Sequence, residues 1–322
     1  MLEIREAGLY CAAGDFYIDP IAPVERAVIT HAHSDHAVPG GRHYLTAREG
    51  EALLRARLED GASIQTAGYG ESLRMGDVVV SLHPAGHILG SAQVRLERKG
   101  EVWAVSGDYK LAPDPTCTPF EPVHCHTFVT ESTFALPIFR WADSRDTIRA
   151  IEAWWRENQE AGKASLLFVY PVGKAQRILH EIDASIGSIL CHPAVARINE
   201  IYRGQGIALP LASESGDSAR ALILAPPSAM GSSRTRRYAP ASTAMASGWM
   251  RIRGPRRRRA LDRGFVLSDH ADWPELLHAV GATGAEDIWV AHGFRAPLAR
   301  WLNEQGKRAQ TIDLPAPEAD AE

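Results

Sequence analysis

Apolar runs that stop abruptly in loops organise this chain. Residues 19–31 contain Asp-Pro, the apolar run Ala27-Val28-Ile29, then Thr30 and a histidine, which predicts a buried strand ending in a loop. Pro39, Gly40 and Gly41 extend that loop, and residues 47–59, rich in Ala, Leu, Arg and Glu, predict a helix. From Asp77 the pattern is strand after strand: DVVVSLHPA, SAQVRLER and EVWAVS, separated by glycines or turn residues. The character changes after residues 127–133. Residues 143–162 read as a polar helix carrying Trp154 and Trp155, residues 166–170 as a strand, and residues 174–186 as largely helix. This alternation predicts a second α/β unit inserted at about residue 144. Beyond an arginine-rich run the first pattern resumes, with residues 264–268 as strand, 275–280 as helix and 287–290 as strand. The expected organisation is therefore a domain made of residues 1–143 and 263–322, interrupted by a unit at 144–262.

Composition narrows the class. The length of 322 residues suits one large domain or two smaller ones, and 45% hydrophobic with 23% charged residues is ordinary for a soluble globular protein. A net charge of -4 gives no global sign of a polyanion partner, so any such signal must be local. Cys11, Cys117, Cys125 and Cys191 lie far apart and form no C-x-x-C pair, which argues against a zinc ribbon or a disulfide framework and for a reducing compartment. The segment MLEIREAGLYC has charges where a signal peptide needs an apolar run, and no stretch has the length of a membrane span. A cytoplasmic protein with no membrane partner is expected.

The chemistry concentrates in THAHSDH. His31, His33, Asp35 and His36 fall within six residues at a strand end, and such side chains converge in a folded loop when a cation sits at their centre. The plainer reading, a polar loop of helix-capping residues, suits one histidine better than four ligand-type groups. His87, Asp108 and His292 each follow an apolar strand next to glycine, where the chain can turn sharply. Singly, each reads as readily as a capping residue. With the first cluster they complete two coordination spheres.

The order H-x-H-x-D-H, then His, Asp and His resembles the metallo-β-lactamase fold, an α/β class with an αββα sandwich and a two-metal cleft. That resemblance implies one ion held by His31, His33 and His87, a second held by Asp35, His36 and His292, and Asp108 bridging them. Asp19 in YIDP resembles the family's early aspartate, which orients the cluster loop. Glu131 in VTEST, His270 in LSDHAD and His292 in AHG, with a unit inserted between the first two, resemble the signature positions of β-CASP nucleases; the insert would be a short β-CASP-like cap containing PVGKAQRIL. The wording TESTFALPIFRW, APPSAMGSS, ASGWMRIRG and VLSDHADW is similar to bacterial DNA-ligase-associated DNA exonucleases.

The resemblance implies a phosphodiester hydrolase that uses two divalent metal ions and a metal-bridging hydroxide as nucleophile. Asp35 would orient that hydroxide, and His270, held by Glu131, would contact the scissile phosphate or protonate the leaving oxygen. Histidine-rich ligation favours zinc, while the carboxylates leave manganese open. The implied partner is nucleic acid, DNA ahead of RNA, with a functional association with a DNA ligase in repair. At His292 the sequence resembles RNA-processing members instead, which keeps a ribonuclease as the alternative. A thioester or lactam hydrolase is a third reading.

Charge adds a local signal. Residues 230–263 hold ten arginines against one acid, Asp262. Arg234, Arg236, Arg237, Arg251, Arg253, Arg256, Arg257, Arg258 and Arg259 are expected to contact phosphate, as is Lys174 at a helix start; the alternative is a solvated face. Trp154, Trp155, Trp249 and Tyr238 could stack on bases, although helical spacing favours a core role for the tryptophan pair. The triplet His124-Cys125-His126 has no partner motif and reads as structural.

Overall fold

The computed structural model describes residues 1–58, 61–213, 216, 218–252, 254 and 261–314. The fold is mixed α/β, and its contacts divide the chain into two compact units, Met1–Arg140 with His270–Glu322, and Trp141–Asp269.

The first unit is built on two sheets. One runs in chain order: β1 (Leu2–Arg5), β2 (Gly8–Cys11), β3 (Phe16–Ile18), β4 (Arg26–Val28), β5 (His43–Ala47) and β6 (Ser63–Ala67), antiparallel up to β3 and parallel after it. The other contains β7 (Ser72–Met75), β8 (Val78–Pro84), β9 (Ala92–Arg98), β10 (Glu101–Val105), β11 (Thr127–Thr130), β17 (Asp287–Val290) and β18 (Arg308–Thr311) in the order β18-β17-β11-β10-β9-β8-β7. Side chains of a strand alternate between faces, and here the alternation decides the layers. Val78, Val80, Leu82, Val94, Leu96, Trp103, Val105 and Val129 share one apolar cluster with Leu9, Phe16, Val28 and Leu45 of the other sheet. The neighbours Ala104, Phe128, Ile288 and Val290 pack on Leu276 and Val280 of the helix Trp273–Thr283 and on Leu298 and Leu302 of the helix Arg295–Glu304. One face of the second sheet thus meets the first sheet, and the other is covered by helices.

The second unit has a parallel sheet, ordered β13-β14-β12-β15-β16, from β12 (Ala164–Val169), β13 (Ile189–Cys191), β14 (Leu222–Ala225), β15 (Ala241–Ala246) and β16 (Arg263–Phe265). Every residue of β12 is buried, as a parallel strand covered on both faces requires. Leu167, Val169, Leu222 and Leu224 enter a cluster with Trp154 and Trp155 of the helix Ser144–Glu160, whereas Leu166, Phe168, Ile223 and Ala225 enter another with Tyr238 and Leu261. The tryptophan pair is core. Trp155 Nε1 also donates to the Arg220 carbonyl at 3.0 Å, and Trp154 Nε1 to Ser242 Oγ at 3.0 Å.

Two expectations shift. The helix expected from residue 47 starts as a 3₁₀ turn, Arg48–Gly50, and becomes α-helical over Glu51–Arg57, because Ala47 is held in β5 by pairing with Ala67; Glu59 lies outside the described residues. The strand expected over residues 264–268 is β16, and it pairs with β15. Phe265 and Leu267 pack in the second unit's core, so that unit continues past the 262/263 boundary read from the sequence.

Candidate metal centre

The cluster loop is held at its base by Asp19, just beyond β3. Its carboxylate accepts hydrogen bonds from Thr30 N at 2.7 Å and Thr30 Oγ1 at 2.5 Å, and lies 2.7 Å from His36 Nδ1. With Nδ1 engaged, Nε2 of His36 turns toward Asp108 Oδ2, 3.4 Å away, and Asp35 Oδ2, 3.6 Å away. A backbone turn from His33 O to the amides of His36 and Ala37 brings His33 and His36 around on the same loop.

The other groups arrive from strand ends of the second sheet. His87 sits in the turn between β8 and β9, where Ser91 Oγ accepts from the amides of His87 at 3.1 Å and Ile88 at 3.2 Å. Asp108 follows Gly107, whose φ is +56°. A Cβ there would stand 2.6 Å from Thr30 Oγ1, so glycine is what lets the Asp108 loop close onto the His31 loop. Asp108 Oδ2 is central: 3.5 Å from His31 Nε2, 3.8 Å from His87 Nε2 and 3.9 Å from His270 Nδ1.

His31, His33, His36, His87, Asp108, Glu131 and His270 are all buried. His33 Nδ1 and His87 Nε2 face each other at 3.1 Å. Among the described residues, His31 Nε2 is buried with no hydrogen-bond partner. Leaving such an atom unsatisfied costs about 1–3 kcal/mol, a cost that a cation bonded at Nε2 removes. The ligand atoms of His31, His33, His87 and Asp108 lie within 4.8 Å of one another, as do those of Asp19, His31 and His36, and those of Asp108, Glu131 and His270. Neutral imidazole with carboxylate is a donor set for divalent ions, and these residues could hold them.

Electrostatics sort the histidines. Burial, then the neighbouring rings of His36, His33 and His87, push the His31 pKa well below the ordinary imidazole value, which keeps the ring neutral. Burial also opposes a charge on His36, but Asp108, Asp35 and Asp19 outweigh it and raise its pKa well above that value. Burial likewise opposes the Asp108 carboxylate, yet His36 and His270 hold its pKa well below the usual range. The site is a built anion among rings, one of which attracts a proton that a metal ion would displace.

Asp35 and His292 stand apart from these tight groups. Asp35 is exposed, and the His292 ring centroid lies 5.9 Å from that of His36. With His36, Asp19 and Glu131 they line a cavity of about 370 Å³ whose wall also carries apolar Leu9, Ile18, Val105 and Val129 and polar Arg57 and Ser106. Glu131 reaches His270 Nδ1 at 3.0 Å through Oε2 and accepts the Tyr109 amide at 2.8 Å through Oε1. The ring is thereby oriented by a carboxylate that is itself held.

Three hydroxyl residues that the sequence pattern does not mark, Thr30, Ser91 and Ser132, hold the backbone around these groups. Thr30 directly precedes the histidine cluster, and Ser132 directly follows Glu131. Adjacency to a ligand-type residue at a strand end was the available signal.

The residues expected to contact phosphate divide. Arg234, Arg236, Arg237 and Arg251 are exposed, with Arg236 Nε donating to Gly231 O at 2.8 Å and Arg237 Nη2 to Tyr238 Oη at 3.1 Å. Arg253, Arg256, Arg257, Arg258 and Arg259 lie outside the described residues. Lys174 departs from expectation: it is buried and paired with Asp269 at 3.0 Å, so its ammonium is neutralised inside the second unit rather than presented to phosphate. Tyr238 is buried as well, which removes it as a stacking platform. His126 is structural, its Nδ1 accepting from the Val102 amide at 3.0 Å.

No family model matches the chain. It is similar to a protein of Opitutus terrae named as a probable DNA ligase, at 32% identity over 314 residues, covering 95% of this chain and 30% of that protein. It also resembles an RNase J-like protein of Methanocaldococcus jannaschii (26% identity; 51% of this chain, 45% of that protein) and a ribonuclease of Thermus thermophilus (27%; 51% and 44%). The chain spans less than half the length of each of these curated relatives. Among solved structures, a protein of unknown function from Enterococcus faecalis V583 shares the fold, with a TM-score of 0.57 at 13% identity over 90% of this chain and 80% of that one.

Proposed function

We propose that this chain is a metal-dependent nuclease of the metallo-β-lactamase type with a β-CASP-like insert at Trp141–Asp269, and that it degrades DNA from an end in ligase-linked repair. The observation that carries the reading is the buried convergence of His31, His33, His36, His87 and Asp108 beside the Glu131–His270 pair. Two face-packed sheets with helices over one of them agree with the αββα sandwich of that fold. The names of the relatives supply the substrate class: two are ribonucleases or like them, and one is named as a ligase.

His31, His33 and His87 would hold one divalent ion, Asp35, His36 and His292 a second, with Asp108 between them. Bound there, divalent cations, zinc by the histidine count with manganese the alternative, neutralise charge on a phosphodiester and make water a better nucleophile. Asp19 keeps Nε2 of His36 aimed inward through its contact with Nδ1. Glu131 engages Nδ1 of His270 and so presents Nε2 of that ring to a scissile phosphate or a leaving oxygen. Arg234, Arg236, Arg237 and Arg251 supply exposed charge for a phosphate backbone.

DNA is placed ahead of RNA because similarity to the ligase-named protein runs along nearly the whole chain, whereas similarity to the ribonucleases covers about half. The deciding experiment incubates the protein with end-labelled single-stranded and duplex DNA and RNA and with a thioester, in zinc or manganese. Progressive shortening of DNA, lost in Asp35→Ala, is expected. Shortening of RNA alone would move the assignment to a ribonuclease, and thioester hydrolysis alone would overturn the nuclease.

A further inference from the structure

We infer that Ser132 is a positioning residue for His292, so that the two neighbours Glu131 and Ser132 set two histidines from one turn of chain. This rests on the proposed reading of His292 as a ligand. Ser132 is completely buried, and its Oγ lies against the carbonyl oxygens of Ala291, at 3.1 Å, and His292. A serine hydroxyl has a single proton, so both carbonyls compete for one donor and are drawn to the same point.

The backbone held there is unusual. His292 has φ +51° and Gly293 φ +60°, two left-handed residues in succession, and the first is not glycine. A left-handed side-chain-bearing residue persists only where its surroundings over-determine it. The surroundings here come from the end of β11. The Ala291 amide donates to Thr130 O at 2.8 Å, and the Phe294 amide donates to Ser132 O at 2.8 Å. A Cβ on Gly293 would stand 2.3 Å from Ser132 O, so the two segments cross at backbone contact. Between those two amide bonds, the carbonyl of His292 is held by Ser132 Oγ. Without that donor, His292 loses the contact that favours its left-handed conformation, and its ring leaves the cavity edge it shares with Asp35 and His36.

The test is calorimetric titration of the chelator-stripped full chain with zinc, following both binding steps in wild type, Ser132→Ala, His292→Ala and the double variant. Ser132→Ala is expected to weaken one step by about 10–100-fold, leave the other in place, and add nothing in the His292→Ala background. Should His292→Ala weaken a step while Ser132→Ala binds both ions as wild type does, the positioning role is wrong and the ligand reading stands. Fully additive losses would likewise overturn it, since Ser132 would then act through the fold at large. Wild-type binding by His292→Ala would remove the ligand reading and this inference with it. Ser132→Cys, with a weaker donor of similar shape, is expected to fall between serine and alanine, and carries the same comparison if the alanine variant does not fold.

Discussion

At the scale of single residues, the protonation of His36 is the property most open to measurement. Asp108, Asp35 and Asp19 raise its pKa above the ordinary 6.5 despite burial. A raised histidine contributes stability that is fully present below the unfolded value and is lost as pH rises through the folded one. The metal-free protein should therefore lose stability as pH rises above about 6.5, while its apparent affinity for zinc increases over the same range because the ion displaces the His36 proton. Titration calorimetry at neutral pH, in buffers with different heats of ionisation, should show proton release on binding. Asp19→Asn should reduce that release and weaken binding by about 10–100-fold, since it removes the carboxylate charge that faces Nδ1 of His36. Equal heats in all buffers would contradict this assignment. The crowding around His36 was legible in the sequence, because H-x-H-x-D-H at a strand end is dense in ligand-type groups. The support of Thr30 and Ser91 was not, since a hydroxyl holding a backbone amide leaves no pattern of its own.

At the scale of elements, the turn between β8 and β9 fixes His87. Gly90, with φ +72°, lies against the start of the helical segment after β5: a Cβ on it would stand 2.1 Å from Gly50 N and Cα. Gly90→Ala must move backbone rather than a side chain. We expect a loss of about 1–3 kcal/mol or more in thermal or denaturant unfolding, together with weakened metal binding as His87 is displaced. Unchanged stability and metal binding would show that the turn does not set the site. The strands flanking this turn were readable because every second position, Val78, Val80 and Leu82 in β8 and Val94 and Leu96 in β9, is apolar and enters one core cluster. The strands β1 to β3 and β6 were not, being three to five residues long, with exposed positions interrupting the apolar ones in β1 and β6. β16 was legible as a strand and not as a member of the second unit's parallel sheet, since three residues carry no information about which neighbour they pair with.

At the scale of the whole molecule, the order of elements predicts an α/β chain interrupted by a second α/β unit; the fold is mixed α/β, and its contacts divide it into two compact units. Charge was harder to assign. Lys174 looked like a phosphate contact from its place after a strand and glycine, and only the tertiary fold reveals Asp269 against it. The distinction between DNA and RNA is not written in the metal ligands, which suit any phosphodiester. In the proposed reading the exposed Arg234, Arg236, Arg237 and Arg251 would meet the phosphate backbone, which DNA and RNA share, so they too leave the polymer undecided. The proposed activity requires the buried cluster to act through metal, and the measurement that tests this is cleavage of an end-labelled DNA oligonucleotide by chelator-stripped protein before and after adding zinc or manganese, with Asp108→Asn alongside. Without metal no shortening is expected, one of the ions should restore it, and the variant should show none; cleavage that persists in the chelator, or that survives Asp108→Asn, would rule out a metal-dependent cluster.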